Sequence, residues 1–236
     1  MIQLFTSLGN WTLGSFVIID LIAATTNAFN GAILARRKDH FRNWTVVGVI
    51  LIAIIGGIGG GVSRDVLLND LPSALTNPWY ILLCLVAAVL ALAVTKRMAP
   101  QSIRRLFDFM AAFSLPWYAI IGTQKALAAH LPLFAVVVIG IVGPTAGRFF
   151  IDLTSGVTPQ QFTPGQWFVG TAVLASVIYI ICDALGLGLW PATLIAWFIA
   201  FVFRLLALRF NWSAPEPWEQ ARLHEDPAGA PAQPAD

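Results

Sequence analysis

Long apolar segments dominate the pattern of hydrophobic and polar residues along this chain. The segments are uninterrupted runs in which apolar residues do not alternate with polar ones, which argues against a β-barrel. A membrane-spanning helix needs about 20 mainly apolar residues, so the runs predict an all-α protein with seven transmembrane helices. The runs cover residues 15–35, 44–62, 79–95, 108–124, 131–147, 167–185 and 190–210.

The chain also contains a predicted internal repeat. The segment GGIGGGVSRDVLLNDLPSAL (56–75) has a degenerate partner in GPTAGRFFIDLTSGVTPQQF (143–162), and a shift of 87 positions places Asp65 on Asp152. Because the unit holds three spans, the second copy enters the membrane from the opposite side, which makes an inverted repeat. The predicted units are a first three-helix repeat (15–97), a second, inverted repeat (104–187), a seventh helix without a counterpart (190–212) and a disordered tail (213–236).

Composition narrows the class of protein. The chain is 58% hydrophobic and 11% charged, whereas an ordinary globular domain is about 45–50% apolar and about 25% charged. This excludes a soluble enzyme, a disordered chain and a secreted disulfide scaffold. The net charge of +2 is too small to indicate a nucleic-acid partner. Cys84 and Cys182 lie inside apolar runs, so we expect free thiols.

The loop charges predict an orientation. Basic residues concentrate between the first and second runs and between the third and fourth, while the loops on the other side carry few. The positive-inside rule therefore places the N-terminus outside and the C-terminus in the cytoplasm. No basic residue precedes the first run, so we expect no cleaved signal peptide. The basic loop residues are Arg36, Arg37, Lys38, Arg42, Lys96, Arg97, Arg104 and Arg105.

A dense glycine cluster ends the second run, and two interpretations of it stay open. Each glycine costs a helix interior about 1 kcal/mol relative to alanine. Close packing of small residues four apart is one explanation. The other is a broken helix whose unwound backbone lines a water-filled path, with Gly143 and Pro144 supplying a second break in helix five. The cluster consists of Gly56, Gly57, Gly59, Gly60 and Gly61, followed by Ser63.

Ionisable residues follow both proposed breaks. Arg64 and Asp65 come after the first, and Arg148 and Asp152 come after the second. A charge at this depth is costly unless it faces a cavity or a partner. The alternative for Arg64 is a side chain that reaches the lipid headgroups.

Lys125 and Asp20 are two further charged residues within the apolar runs. Lys125 closes the fourth run beside Thr123 and Gln124, and either the outer lipid interface or a wet pore wall explains it. At about 100° per residue, Asp20 shares a helix face with Asn27, so that face points at protein or water.

Signals of enzyme chemistry are missing from the sequence. His40, His130 and His224 are scattered without metal-ligand spacing. Neither a nucleophile with its base nor an acid–base pair can be placed on common helix faces. We therefore expect no enzyme activity, no metal and no cofactor.

The motifs resemble one membrane-protein family. DLIAATTNAFNGAILARRK (20–38) and GGIGGGVSRDVLLNDLP (56–72) are similar to segments of the bacterial trimeric intracellular cation (TRIC) channels, whose relatives are described as small glycine transporters. Gly59 to Asp65 match a Gly-Gly-Gly-x-x-Arg-Asp motif, and IGTQKAL (121–127) matches a helix-four segment. In the second repeat the match is degenerate, which leaves the role of Arg148 open.

The resemblance implies a homotrimer in the bacterial inner membrane, with one K⁺-permeable pore per protomer between the inverted repeats and with bound lipid as a further partner. Helices two and five would line that pore at the glycine breaks. The implied pore and gate residues are Lys125, Arg64, Arg148, Asp65, Asp152, Gly59, Gly60, Gly61, Ser63, Gly143, Pro144, Thr123 and Gln124. A secondary transporter of a small amino acid such as glycine is the alternative, because helix N-termini and an arginine suit a carboxylate.

Overall fold

The structure is a computed structural model that describes residues 2–35, 44–159, 161–162 and 167–212. This part of the chain contains eight helices and no strand, which confirms the all-α prediction. The helices are α1 (Ile2–Leu34), α2 (Val46–Leu67), α3 (Ser73–Thr76), α4 (Trp79–Thr95), α5 (Pro100–Ala128), α6 (Leu133–Thr154), α7 (Phe168–Ala184) and α8 (Leu189–Arg209).

The predicted count of seven helices omits α3, a four-residue helix between α2 and α4. Five helices are long and apolar enough to cross a membrane, namely α2, α5, α6, α8 and the Phe16–Leu34 part of α1. The 17-residue helices α4 and α7 are shorter, so their crossing stays a prediction. The predicted basic loop at 36–42 and the predicted disordered tail at 213–236 lie outside the described residues.

Several helices end in a residue with left-handed backbone, which lets the next amides bond to the last free carbonyls. α2 and α6 end alike in this way. Asp70 N–H donates to the Asp65 carbonyl (2.9 Å), and Val157 N–H donates to the Asp152 carbonyl (3.0 Å). Asp65 and Asp152 therefore lie at equivalent positions near the ends of α2 and α6, as the 87-residue shift between the repeats predicts. The left-handed residues that follow helix ends are Asn69, His130, Gly156, Gly186 and Asn211, and a further one, Trp167, precedes α7.

The helices pack in two sets of three. α1, α2 and α4 contact one another, as do α5, α6 and α7, and the sets meet along α1–α5 and α2–α6. α8 lies against α5 and α7. This pairing is the one that two repeats would produce, while their boundaries stay a prediction. Small residues allow the close approach; the buried alanines include Ala24, Ala28, Ala32, Ala87, Ala88, Ala91, Ala172, Ala175, Ala192, Ala196 and Ala200.

The predicted breaks in α2 and α6 are not confirmed, because helical backbone continues through the glycines of both helices. The glycines allow close packing instead. A Cβ on Gly60 would collide with the Gly143 carbonyl oxygen, and a Cβ on Gly147 would lie 3.2 Å from the Gly56 carbonyl oxygen. α2 and α6 therefore cross backbone to backbone, and this contact offsets the low helix propensity of glycine.

Candidate functional site

A buried ion-pair cluster lies where α2 ends against α1. Arg64 donates from Nη1 and Nη2 to the two carboxylate oxygens of Asp20, both at 2.9 Å. Its Nε donates to Asp65 Oδ1 at 2.8 Å. Tyr80 of α4 donates its hydroxyl to Asp20 Oδ2 at 3.0 Å. The Arg64 side chain is fully buried, so it does not reach the headgroups, and Asp20 points into the protein as predicted.

Asp65 joins this cluster to α3 and α5. Its Oδ1 accepts from Lys125 Nζ at 2.9 Å, and its Oδ2 accepts from the Ser73 backbone N–H at 3.0 Å. Lys125 Nζ also donates to Ser73 Oγ at 3.0 Å. The Lys125 side chain is 16% exposed and forms an ion pair within the protein, which argues against the alternative of a lysine at the lipid interface.

The cluster is balanced in charge. It contains two cations, Arg64 and Lys125, and two carboxylates, Asp20 and Asp65. Buried charges are tolerated when they are paired and hydrogen-bonded, and a two-pronged arginine–carboxylate contact is a strong form of such a pair. Beside it lies a small cavity of about 10 Å³, the outer cavity, which is lined by Asp20, Gly61, Arg64, Asp65, Ser73, Tyr80 and Tyr118 among others.

Tyr118 of α5 separates the outer cavity from a second one. Its side chain is buried, it lines both cavities, and its hydroxyl donates to the Gly57 carbonyl oxygen in the middle of α2. On the α1 side, Asn27 Nδ2 donates to the Gly56 carbonyl oxygen at 2.8 Å. Two consecutive carbonyls of α2 therefore accept side-chain hydrogen bonds from two different helices, α1 and α5.

The second cavity, called the inner cavity, has a volume of about 30 Å³ and is open to the surface on one side. It lies at the end of the bundle where α5 and α7 begin. Polar and aromatic side chains share its wall. The lining residues are Asn27, Asn30, Phe107, Asp108, Ala111, Ser114, Leu115, Tyr118, Pro144, Arg148, Phe168 and Arg204.

Two arginines of the inner cavity are held by aromatic rings. Arg148 lies 5.0 Å over the Phe107 ring, and its Nε donates to Asp152 Oδ1 at 2.8 Å. Arg204 of α8 lies 5.6 Å over the Phe168 ring. Cation–π contacts of this kind fix the plane of a guanidinium. The predicted acid and base of the second repeat thus pair with each other.

Thr123 and Gln124 have other hydrogen-bond partners than Lys125, and their predicted place on a pore wall stays a prediction. Thr123 Oγ1 donates to the Ala119 carbonyl within α5 at 2.8 Å, and Gln124 Nε2 donates to Thr193 of α8 at 2.8 Å. None of Thr123, Gln124 and Lys125 is among the lining residues of the outer or the inner cavity. Successive residues of a helix point about 100° apart, so three neighbours cannot share one wall.

The remaining predicted residues divide between cavity walls and helix packing. Gly61 lines the outer cavity, and Pro144 lines the inner one. Ser63 Oγ donates to the Gly59 carbonyl at 2.9 Å within α2. A Cβ on Gly59 would lie 3.3 Å from the Phe150 ring of α6, so Gly59 serves the helix crossing.

Sequence reasoning missed several residues of the two cavities. Ser73 lies on the unpredicted α3, and Tyr80 and Tyr118 lie inside apolar runs where aromatic residues give no distinct signal. Arg204 lies within the last apolar run, where a basic residue also fits the positive-inside pattern. The one available signal was Asp20, because an intramembrane carboxylate needs a partner.

Five helices that are long and apolar enough to cross a membrane, with their buried charges paired inside the bundle, indicate an integral membrane protein. The fold is similar to a crystal structure of the TRIC trimeric intracellular cation channel orthologue from Rhodobacter sphaeroides. The TM-score is 0.75 at 25% identity, and the match covers 84% of this chain and 99% of that chain. This confirms the resemblance noted in the sequence.

The chain belongs to the family described as "Glycine transporter", whose sequence model matches residues 17–96 and 108–184. Relatives include the UPF0126 membrane protein YvgT of Bacillus subtilis, 24% identical over 206 residues that cover 84% of this chain and 94% of that protein. The UPF0126 inner membrane protein YadS of Escherichia coli is 22% identical over 206 residues, covering 84% and 93% of the two chains. The two matched segments lie inside the two predicted repeats.

Proposed function

We propose that this protein is a cation channel in which each protomer has its own pathway between the two sets of three helices. The observation that carries the proposal is the pair of small cavities on either side of Tyr118, each with charged side chains among its lining residues. Both are lined by residues of α1 and α5, and α2 and α6 each contribute to one of them. The similarity to the Rhodobacter sphaeroides channel supports the same activity.

The chemistry of the pathway suits a monovalent cation such as K⁺. Oxygen atoms of side chains and carbonyls replace the hydration shell of such ions. The outer cavity offers Asp20 and Asp65, and the inner cavity offers Asn27, Asn30 and Ser114. Arg64 and Lys125 neutralise the outer carboxylates, so we assign them to gating and packing rather than to ion coordination.

Conduction requires Tyr118 to move, because the two cavities are separate in the structure. Its hydroxyl holds the Gly57 carbonyl oxygen, and its ring fills the space between α2 and α5. Breaking this hydrogen bond would join the cavities. We therefore place the gate at Tyr118, next to the crossing of α2 and α6.

We further propose a homotrimer in the bacterial inner membrane, with the C-terminus in the cytoplasm. The trimeric state is stated for the similar channel, and the inner membrane for the Escherichia coli relative. Large apolar side chains on the outside of α4 and α8, among them Leu82, Val86, Val89, Leu194 and Phe198, are available for neighbouring protomers and for lipid.

The test is purified protein in planar bilayers under a KCl gradient. We expect discrete unitary currents that reverse close to the K⁺ equilibrium potential. Saturable, stereoselective amino-acid uptake without unitary currents would replace the channel with the transporter alternative. A reversal potential near that of Cl⁻ would refute cation conduction.

A further inference from the structure

We propose that a pocket of aromatic side chains beyond the end of α8 binds the ammonium headgroup of a zwitterionic phospholipid. This aromatic pocket is lined by Trp167, Phe203, Asn211 and Trp212, and it shares no lining residue with the outer or the inner cavity. The inference rests on the membrane location of the protein and not on the proposed channel activity.

The first observation is the depth of the pocket in the membrane. α8 is long and apolar enough to cross a membrane, and Trp212 follows within three residues of its end. Trp167 comes directly before α7, which runs beside α8 in the opposite direction. Tryptophan rings prefer the level of the lipid headgroups. Trp167 and Trp212 are 39% and 42% exposed, so lipid has access to both rings.

The second observation is the arrangement of the rings. Phe203 contacts both indoles, with centroid distances of 6.4 Å to Trp167 and 6.0 Å to Trp212 and with angles of 85° and 54° between the planes. Rings at such angles form adjacent walls and not a closed stack. Phe210 stacks on Trp212 at 6.0 Å without lining the pocket, so it holds that indole in place. The pocket has a volume of about 590 Å³ and a wide mouth, which leaves room for a headgroup.

The chemistry of the walls favours an ammonium group. The face of an aromatic ring carries partial negative charge and attracts a cation within about 6 Å of its centroid. Aromatic cages bind quaternary ammonium groups such as choline in this way. The four lining residues include no charged side chain that would neutralise an anionic headgroup. Asn211 adds an amide that donates hydrogen bonds and suits a phosphate oxygen of the same lipid. A headgroup with both a phosphate and an ammonium group meets both features.

The third observation is the strained backbone of Trp167. Its φ is 33°, in the left-handed region that bulky side chains rarely adopt. Thr171 holds this backbone, because its N–H and its Oγ1 both donate to the Trp167 carbonyl, at 2.9 and 2.8 Å. Gly170 makes room for the ring, since a Cβ there would lie 2.6 Å from the indole Cε3. A tryptophan that only anchors a helix at the interface needs none of these features, whereas strained residues concentrate at ligand-binding sites.

Native mass spectrometry of the full-length, delipidated protein tests the pocket. The probes are phosphatidylethanolamine and phosphatidylcholine, which carry an ammonium group, and phosphatidylglycerol with the same acyl chains, which lacks one. We expect saturable binding of the two ammonium lipids. Replacing a ring of the pocket should weaken their binding and leave that of phosphatidylglycerol unchanged, because the ring faces attract the ammonium group alone.

Variants locate the binding. Trp167→Leu and Trp212→Leu should each lower the affinity for the ammonium lipids at least about fivefold. Trp212→Phe keeps a ring face and should bind more tightly than Trp212→Leu. Trp190→Leu is the matched control and should bind as the wild type does, because Trp190 is 40% exposed but lies at the other end of α8, outside the pocket. Thermal unfolding identifies the folded variants, and the two leucine variants test the pocket independently.

Three results would overturn the inference. They are the absence of saturable binding of ammonium lipids by folded wild type, an equal loss of binding in Trp190→Leu and Trp212→Leu, and unchanged affinity in folded Trp167 and Trp212 variants. The second result would reduce the pocket to the general preference of tryptophan for the interface. None of them bears on K⁺ currents, so failure here is distinguishable from failure of the channel proposal.

Discussion

Lys125 and Asp65 lie 60 positions apart in the chain and form an ion pair of 2.9 Å between Nζ and Oδ1. The pair ties α5, in the second set of helices, to the end of α2 in the first. Ser73 of α3 contacts both residues, with distances of 3.0 Å to Lys125 Nζ and 3.1 Å to Asp65 Oδ2. One lysine thus links three helices at the outer cavity.

Replacing this lysine should alter both stability and current. Lys125→Ala removes a charged hydrogen bond, so we expect a loss of about 1.5–3 kcal/mol in the free energy of unfolding. Unitary conductance or open probability should change several-fold. Lys125→Glu should change them further, because a third carboxylate would face Asp65 at a repulsion of at least about 1 kcal/mol at 4 Å.

Thermal unfolding and single-channel recording at matched KCl measure these effects. Lys96→Ala, at an exposed position, is the control and should resemble the wild type. Identical unfolding and identical traces for wild type and both Lys125 variants would contradict the role of the ion pair.

The pair of Arg64 and Asp20 should show strong coupling in a double-mutant cycle. Breaking a buried pair from one side costs about 3–5 kcal/mol, because it leaves the partner charge uncompensated. Arg64→Gln and Asp20→Asn should each destabilise the protein, and the double variant should lose much less than the sum. Arg105→Gln is an exposed control. Additive losses in the cycle would show that the two side chains do not interact.

Glycine at the crossing of α2 and α6 should tolerate no side chain. Gly60→Ala places a Cβ against the backbone oxygen of Gly143, and overpacking of this kind costs about 1–3 kcal/mol. Gly14→Ala is the matched control, because nothing lies within 4 Å of a Cβ there. It should leave stability unchanged or raise it by up to about 1 kcal/mol. Equal melting temperatures for the two variants would argue against close packing at Gly60.

Removing the Tyr118 hydroxyl should favour the open pathway. Tyr118→Phe loses the hydrogen bond to the Gly57 carbonyl oxygen, which is worth about 1 kcal/mol, so we expect open probability to rise up to about fivefold. Tyr179→Phe removes a hydroxyl from another largely buried tyrosine and should leave open probability unchanged. A Tyr118→Phe channel that gates like the wild type would place the barrier elsewhere.

The positions of the helices and of their buried charges could be predicted from the sequence. The ion pairs and hydrogen bonds between helices could not. The apolar runs located the seven longer helices, and the cost of intramembrane charge indicated that Asp20, Arg64 and Asp65 face protein. The partner of each charge depends on the rotation and depth of one helix against another, which no single helix determines. For the same reason the sequence indicates a shared pore wall for Gln124 and Lys125, whereas in the structure the Gln124 side chain donates to Thr193 of α8.

The low helix propensity of glycine indicates a break in the helix, while the spacing of the glycines indicates close packing, and the sequence leaves both interpretations open. Propensity is a weak influence where tertiary contacts oppose it. α2 and α6 stay helical because each supplies the small residues that the other requires, and that reciprocity appears only when both helices are in place.

The contacts of these glycines have a regular form. Gly60 meets Gly143, and Gly147 meets Gly56, while the 87-residue shift relates Gly56 to Gly143 and Gly60 to Gly147. In an isologous interface between two identical subunits, every contact occurs twice, the second time with the two subunits exchanged. The two glycine contacts are related in this way.

Asn27 and Ser114 complete that interface. They are also 87 positions apart, and Ser114 Oγ lies 3.4 Å from Asn27 Oδ1. A position can touch its own counterpart only at a two-fold axis, so this pair marks where such an axis would pass. One polypeptide therefore contains the equivalent of an antiparallel homodimer. The two ends of this arrangement differ, because an ion-paired cluster lies at one end and an arginine-lined cavity lies at the other.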